Sequence, residues 1–255
     1  MSSRRRVMIT GATGKIGRSL ASGFAGAGWE VIAVSREQNR ADAIAETLGR
    51  ATGDVHHGVC WTFEAGAPIA ELVEQLHDKA IQPHCLVNGV RDLENLKLGE
   101  GGRADETNWS REFHLGVVVA YELAMQLFEK PGTVLDNIIN IASVYGMVAP
   151  NQSLYADPVS QSAIHYGVCK AALIHLTREL AVRMTSKGVR VNAISYGGVE
   201  GRVDSGFLER YKRLCPQGRM LTEADVTGPA LFLSSPGASG IVGHNLVVDG
   251  GWSVW

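Results

Sequence analysis

The chain has 255 residues, 45% of them hydrophobic and 20% charged, with 26 acidic against 24 basic side chains for a formal charge of −2. That balance excludes disorder, offers no sequence-independent attraction to nucleic acid or an anionic membrane surface, and no run approaches the roughly 18 apolar residues of a membrane span. Thirty glycines, 30/255 or about 12%, exceed the roughly 7% of average usage and imply tight turns or close ligand contacts.

Arg4, Arg5 and Arg6 form the one dense basic run and read as a solvated flank. The short apolar stretch after them is too brief for a secretory signal, so a cytoplasmic location is expected. Strand candidates follow in chain order at Val7–Thr10, Glu30–Val34, Gly58–Phe63, Cys85–Asn88, Asn137–Ala142, Val189–Ser195 and Asn245–Val248. Between them, Ile16–Ala27, Arg40–Leu48, Ile69–Lys79, Trp109–Glu129, His165–Thr185 and Glu223–Leu233 have helical length and spacing. This alternation predicts an α/β fold over residues 1–255, a single Rossmann domain with a doubly wound, parallel, seven-stranded sheet covered by helices on both faces. The polar stretches Asp92–Glu106 and Tyr145–Ile164 read as loops, and loops of that length are often functional. Cys60, Cys85, Cys169 and Cys215 lie far apart without a Cys-x-x-Cys pair, so reduced, packed thiols are expected and no metal site.

The first strand leads into Thr10-Gly11-Ala12-Thr13-Gly14-Lys15-Ile16-Gly17 at a strand–turn–helix junction. There Gly11 permits the turn, Gly14 lets backbone approach a pyrophosphate, and Gly17 allows close helix–strand packing, while the helix start presents N–H donors to phosphate. Thr13, Lys15 and Ile16 complete the loop. After the second strand, Ser35 and Arg36 stand where an acid would bind an unphosphorylated ribose. A hydroxyl and a guanidinium suit a 2′-phosphate, which favours NADP(H) over NAD(H). The alternative is that Arg36 merely starts a solvated loop.

Tyr166 and Lys170 lie four residues apart on one helix face. A cation beside a phenol favours its ionised form, which could exchange a proton with a substrate oxygen. Chance gives about 6 × 7/255, roughly 0.16, such pairs from six tyrosines and seven lysines, so the spacing alone is weak. Ser143, at the carboxyl end of an apolar strand, strengthens it because ligands of open α/β sheets bind at those ends.

In this order the glycine loop, Asn88-Gly89, Ser143, Tyr166-x-x-x-Lys170, the strand Arg190–Ser195 and the terminal Val248-Asp249-Gly250-Gly251 make the chain resemble the short-chain dehydrogenase/reductase family. The resemblance implies that Tyr166 is the acid/base, that Lys170 holds the nicotinamide ribose, and that Ser143 orients the substrate carbonyl. It further implies that Asn88 and Gly89 border the cofactor, that Gly197 and Val199 line its nicotinamide end, and that Thr62 and Phe63 meet adenine.

Several positions depart from the family pattern. Lys15 replaces its second glycine and Gly14 sits one residue early, a spacing similar to the extended members, although length and the Asp-Gly-Gly ending resemble the short form. Tyr196 replaces a proline, and His114 stands nearest to a family asparagine that organises a proton path; packing within its helix is the alternative role. Substrate loops are expected near 145–164 and 197–221. Their mix of charge and amide, together with a similarity of the carboxyl-terminal half to members of nonulosonic and other surface-sugar biosynthesis, implies a polar, sugar or nucleotide-sugar substrate. A homodimer or homotetramer is expected, with Trp252 and Trp255 at a subunit interface or on the chain's own core. The competing reading is a nucleotide-binding regulator or partner subunit that kept the fold.

Overall fold

A computed structural model describes residues 4–201 and 203–255. Seven strands, β1 (Arg6–Thr10), β2 (Glu30–Ser35), β3 (His57–Cys60), β4 (Cys85–Asn88), β5 (Asn137–Ser143), β6 (Arg190–Tyr196) and β7 (Asn245–Val248), form one sheet in the order β3-β2-β1-β4-β5-β6-β7. Every pairing is parallel. The chain begins in the middle, winds outward to β3, and returns to place β4 on the other side of β1. That reversal opens a crevice above the carboxyl ends of β1 and β4, where ligands of doubly wound sheets bind.

Alternate residues of each strand feed opposite faces. Met8, Ile32, Leu86 and Ile138 pack on one side with Leu72, Leu123 and Leu180. Val7, Ile9, Val87, Ile139 and Ile194 pack on the other with Leu20, Phe24 and Leu233. Burial on both faces explains why these strands are continuous apolar runs.

The helices are α1 (Lys15–Gly26), α2 (Gln38–Thr52), α3 (Ile69–Asp78), α4 (Glu106–Phe113), α5 (Val119–Glu129), α6 (Pro158–Gln161), α7 (Ile164–Met184), α8 (Ser205–Leu214) and α9 (Glu223–Ser234). Among the described residues no helix is long and apolar enough to cross a membrane.

Five readings of the sequence change, one being that the stretch Tyr145–Ile164, expected as a loop, holds the short helix α6, capped by Asp157 accepting from the Val159 N–H at 3.2 Å. The segment expected as one helix over Trp109–Glu129 begins at Glu106, because Asp105 caps it by accepting from the Asn108 N–H at 2.6 Å, and a wide π-turn at His114–Val118 separates α4 from α5. The third strand stops at Cys60, where the Trp61 N–H turns to the Ser35 carbonyl at 2.8 Å. The arginine flank is not free: Arg5 pairs with Asp136 at 2.5 Å and Arg6, already in β1, with Glu30 at 3.0 Å. Part of the expected substrate loop over 197–221 is the regular helix α8, capped by Asp204 accepting from Phe207 N–H at 2.9 Å. Arg202, in that same segment, lies outside the described residues.

Candidate active site

The floor of the crevice is a contact between two backbones. Gly11 has φ +70°, and a Cβ there would sit 2.8 Å from the Gly89 carbonyl oxygen; one on Gly17 would sit 2.2 Å from the Gly11 oxygen. No side chain fits at either place, so the β1 turn, the β4 turn and α1 meet at van der Waals distance. Thr10 locks the arrangement: its hydroxyl accepts from the N–H groups of Gly89 at 3.0 Å and Val90 at 3.2 Å and donates to the Val87 carbonyl at 3.4 Å.

Gly14 is the residue preceding α1, in ordinary extended conformation (φ −74°, ψ 167°), and no side chain caps the helix start. The first amides of α1 are therefore presented to the crevice with the helix dipole behind them, the chemistry that holds a pyrophosphate. Thr13 keeps its carbonyl occupied by Arg18 Nε at 2.9 Å, and Ile16 packs against the core. Lys15 does not fold back on its helix. Its ammonium donates to the Glu200 carbonyl and lies 3.8 Å from the Glu223 carboxylate, so it ties the glycine loop to the segment after β6.

At the far end of the crevice, Ser35 is buried and its hydroxyl accepts from the Glu37 N–H at 3.4 Å. Arg36 is exposed and pairs with Asp92 at 2.9 Å. Asp92, stabilised as a carboxylate by the Glu94 N–H and then by Arg36, titrates below its usual range. Thr62 is exposed, whereas Phe63 is buried in the core beside Ile69 and Leu72.

Ser143, Tyr166 and Lys170 come together because β5 and α7 approach with nothing between them. After β5 the chain turns at Val144–Gly146, with the Tyr145 N–H donating to the Ser143 hydroxyl at 3.2 Å. A Cβ on Gly146 would lie 2.7 Å from the Lys170 carbonyl carbon, and one on Gly167 2.7 Å from the Tyr145 oxygen. Two bare backbones thus press the end of β5 onto the first turns of α7. Lys170 is buried, donates to the Ile141 carbonyl at 2.9 Å, and its ammonium lies 5.8 Å from the Tyr166 ring centroid.

Beneath them Asn88 is buried and donates to Asn140 at 2.8 Å, which donates to Thr177 at 2.9 Å. His114 lies at the start of the π-turn, its Nε2 buried without a partner among the described residues, and lines a hollow with Phe63, Glu64, Val118 and Glu122.

Two residues that the motifs did not single out belong to this neighbourhood. Arg91, three residues past the end of β4, lays its guanidinium 4.6 Å from the Tyr166 ring centroid. Glu112 on α4 is 2% exposed, close enough to Lys170, Arg91 and His165 to feel their charge; burial dominates and raises its carboxyl above the usual range. His165 is fully buried, hydrogen-bonded to the Asn95 carbonyl at 2.6 Å, and packs against Trp109. Tertiary proximity alone reveals these two, since neither has a spacing signature.

The remaining wall comes from the segment after β6. Gly197 N–H donates to the Val248 carbonyl at 2.9 Å, Val199 pairs with Leu221 as an isolated bridge, and Tyr211 on α8 accepts from the Gly198 N–H at 3.0 Å. Tyr211 stacks on Trp252 at 4.4 Å, so Trp252 is buried on its own chain while Trp255 is 79% exposed. Asp249 shapes the terminal turn, accepting from the N–H groups of Gly251 at 2.8 Å and Ser253 at 2.9 Å. Tyr196 is buried and donates to the Val226 carbonyl at 2.5 Å, fixing α9 under this wall.

A crevice at the strand-order reversal, an uncapped helix start in its floor and a Ser/Tyr/Lys group on its wall coincide with one known architecture. A family model described as Enoyl-(Acyl carrier protein) reductase matches residues 11–253. The chain belongs to the short-chain dehydrogenase/reductase family. Among its relatives, the post-translational flagellin modification protein A of Campylobacter coli is 34% identical over 146 residues, 57% of this chain, and the match spans 56% of that protein. Galactitol 2-dehydrogenase (L-tagatose-forming) of Cereibacter sphaeroides is 29% identical over 97% of this chain and 94% of its own. The crystal structure of a short-chain dehydrogenase from Leptospira borgpetersenii with bound NAD+ superposes with TM-score 0.82 at 25% identity, covering 98% of this chain and 93% of that one.

Proposed function

We propose that this short-chain dehydrogenase/reductase transfers hydride between NADP(H) and a secondary alcohol or ketone on a polar, sugar-like substrate. The observation that carries the reading is the close backbone approach that brings the end of β5, with Ser143, against the first turns of α7, with Tyr166 and Lys170. A nicotinamide dinucleotide fits the donor set: the open amides of α1 suit its pyrophosphate, with Lys15 at the first position of that helix engaged by Glu200, and Asn88, Gly89, Gly197 and Val199 edge the nicotinamide end. When bound, that group supplies the hydride acceptor or donor.

The chain's own residues do the rest. Ser143 hydrogen-bonds the substrate oxygen and fixes the carbonyl plane. Tyr166 gives a proton to that oxygen in reduction and takes it in oxidation. Lys170, anchored to Ile141, orients the nicotinamide ribose and keeps positive charge beside the phenol. Such proton transfer contributes about 10²- to 10⁴-fold.

The Leptospira neighbour holds NAD+, so preference for the phosphorylated dinucleotide rests on Arg36, whose exposed guanidinium can exchange Asp92 for a 2′-phosphate. The galactitol dehydrogenase relative supports a polyhydroxylated substrate. The reading includes a homo-oligomer, supported by exposed apolar side chains at Tyr121 on α5 and Val182 on α7, acting in the cytoplasm. His114 stands in this reading as the candidate for the proton path, its Nε2 unpaired among the described residues, with packing at the π-turn as the alternative.

The test is NADPH oxidation across a panel of sugar and nucleotide-sugar ketones. Tyr166→Phe and Ser143→Ala should each lower kcat about 10²-fold or more with NADPH binding nearly unchanged. Full turnover by Tyr166→Phe would refute the mechanism. Nucleotide binding without turnover of any ketone would favour the regulator reading.

A further inference from the structure

Among the described residues around Tyr166, Glu112 Oε2 and His165 Nδ1 are unpaired but buried, and Arg91 is an exposed charged group without a partner. Lys170 donates to Ile141 O. Asp92 accepts from the Glu94 N–H at 3.1 Å and from Arg36 at 2.9 Å. Arg91 differs: it is exposed at the crevice, its guanidinium 4.6 Å from the Tyr166 ring centroid. Among the described residues it has no carboxylate within 4.0 Å and donates no side-chain hydrogen bond. Glu112, the nearest acid from the α4 side, is sealed at 2% exposure.

We propose that Arg91 recognises an anionic group on the substrate, a carboxylate or phosphate carried a few bonds from the reacting carbon. The inference rests on the oxidoreductase reading above and narrows its substrate to acidic sugars or hydroxy acids, as against neutral polyols.

The geometry follows from the chemistry of the guanidinium. A ring face holds the cation without using any of its N–H groups, so the planar fork stays available for a bidentate acceptor. Tyr166 contacts the oxygen on the reacting carbon, and Arg91 packs against the same ring. An anion attached near that carbon therefore meets the fork while the oxygen meets the phenol. The surrounding charge favours such a ligand. Arg91 and Lys170 face Tyr166, Arg36 and Arg111 lie around Asp92, which is already engaged, and Glu112, the acid that feels Arg91 from α4, is buried. A neutral polyol would leave this guanidinium unused.

Steady-state kinetics with NADPH on matched pairs tests the proposal: a keto acid against its neutral amide, and a ketose phosphate against the free ketose. The wild-type protein should prefer the anionic member of one pair by about 10- to 100-fold in kcat/KM, the worth of a charge-assisted bond. The pair that shows the preference identifies carboxylate or phosphate. Arg91→Gln should collapse that ratio towards one, chiefly through KM of the anionic member, and Arg91→Lys should retain part of it.

Arg178→Gln, which removes an equal charge from the exposed side of α7, should leave the ratio unchanged. Equal kcat/KM within both pairs, an unchanged ratio in Arg91→Gln, an equal fall in Arg178→Gln, or a loss confined to KM for NADPH would each overturn the assignment. Turnover without charge preference overturns it while the oxidoreductase reading stands. Absence of turnover of every compound fails that reading and the inference with it.

Discussion

Gly146→Ala isolates the close approach of β5 and α7 from every other feature of the site. The methyl would land 2.7 Å from the Lys170 carbonyl carbon and 2.9 Å from the Ala171 nitrogen, against 3.4 Å for ordinary contact. Both obstacles are backbone, so the turn after Ser143 and the helix carrying Tyr166 must part by about 0.7 Å, the difference between 3.4 and 2.7 Å. Overpacking of this kind costs about 1–3 kcal/mol, which lowers Tm by several degrees in a chain of this size. The catalytic effect should be larger. Misplacement on the order of 1 Å can cost about 10²-fold in rate, so kcat should fall by one to two orders of magnitude, roughly, while the KM for NADPH holds because the cradle lies on β1 and α1. Stopped NADPH oxidation and thermal unfolding measure the two effects. A variant with wild-type kcat and a lowered Tm would show that the contact serves stability alone and would refute the positioning argument.

Arg36→Glu should reverse the coenzyme ratio, raising KM for NADPH while leaving NADH nearly unaffected; equal effects on both would remove Arg36 from the 2′-phosphate site. Asp225 receives both nitrogens of Arg219 at 2.7 and 3.1 Å and the Thr222 N–H at 2.7 Å, which hold its carboxyl well below the usual range. Its stabilising contribution is complete above the ordinary aspartate pKa and fades as pH falls towards the depressed folded value. Asp225→Asn should therefore lose stability at neutral pH and narrow the difference from wild type in acid, read by urea unfolding at several pH values. Glu112 has the opposite sign: burial raises its folded pKa, so the native state binds the extra proton and stability declines as pH climbs above the ordinary glutamate range. Glu112→Gln should flatten that decline, and an unchanged pH dependence would refute the argument.

The strands and the glycine turn are readable because their signals are local. Val7–Thr10 is an apolar run ending in a glycine turn, and Gly11 and Gly17 stand where backbone must touch backbone. The oddly placed Gly14 proves to be the residue before α1, and Lys15, in the position of a family glycine, reaches away to Glu200. The helix α8 escaped notice because charged residues disguised its spacing, although Asp204 as a cap and Phe207, Leu208, Tyr211 and Leu214 on one face signal it. Arg91 and Glu112 could not be found from sequence at all. Their meaning comes from β4, α4 and α7 meeting in space, and residues 91, 112 and 166 share no periodicity.

The hydroxyl of Thr10, bonded to both Gly89 and Val90, joins the two halves of the crevice floor into one piece. A floor of bare backbone has almost no room to vary, whereas the rim around Arg91 and the exposed face of α8 carries side chains that are free to change. On the proposed function, coenzyme chemistry is thereby separated from substrate choice. A lineage can acquire a new substrate by altering the rim while the hydride-transfer geometry beneath it is inherited intact.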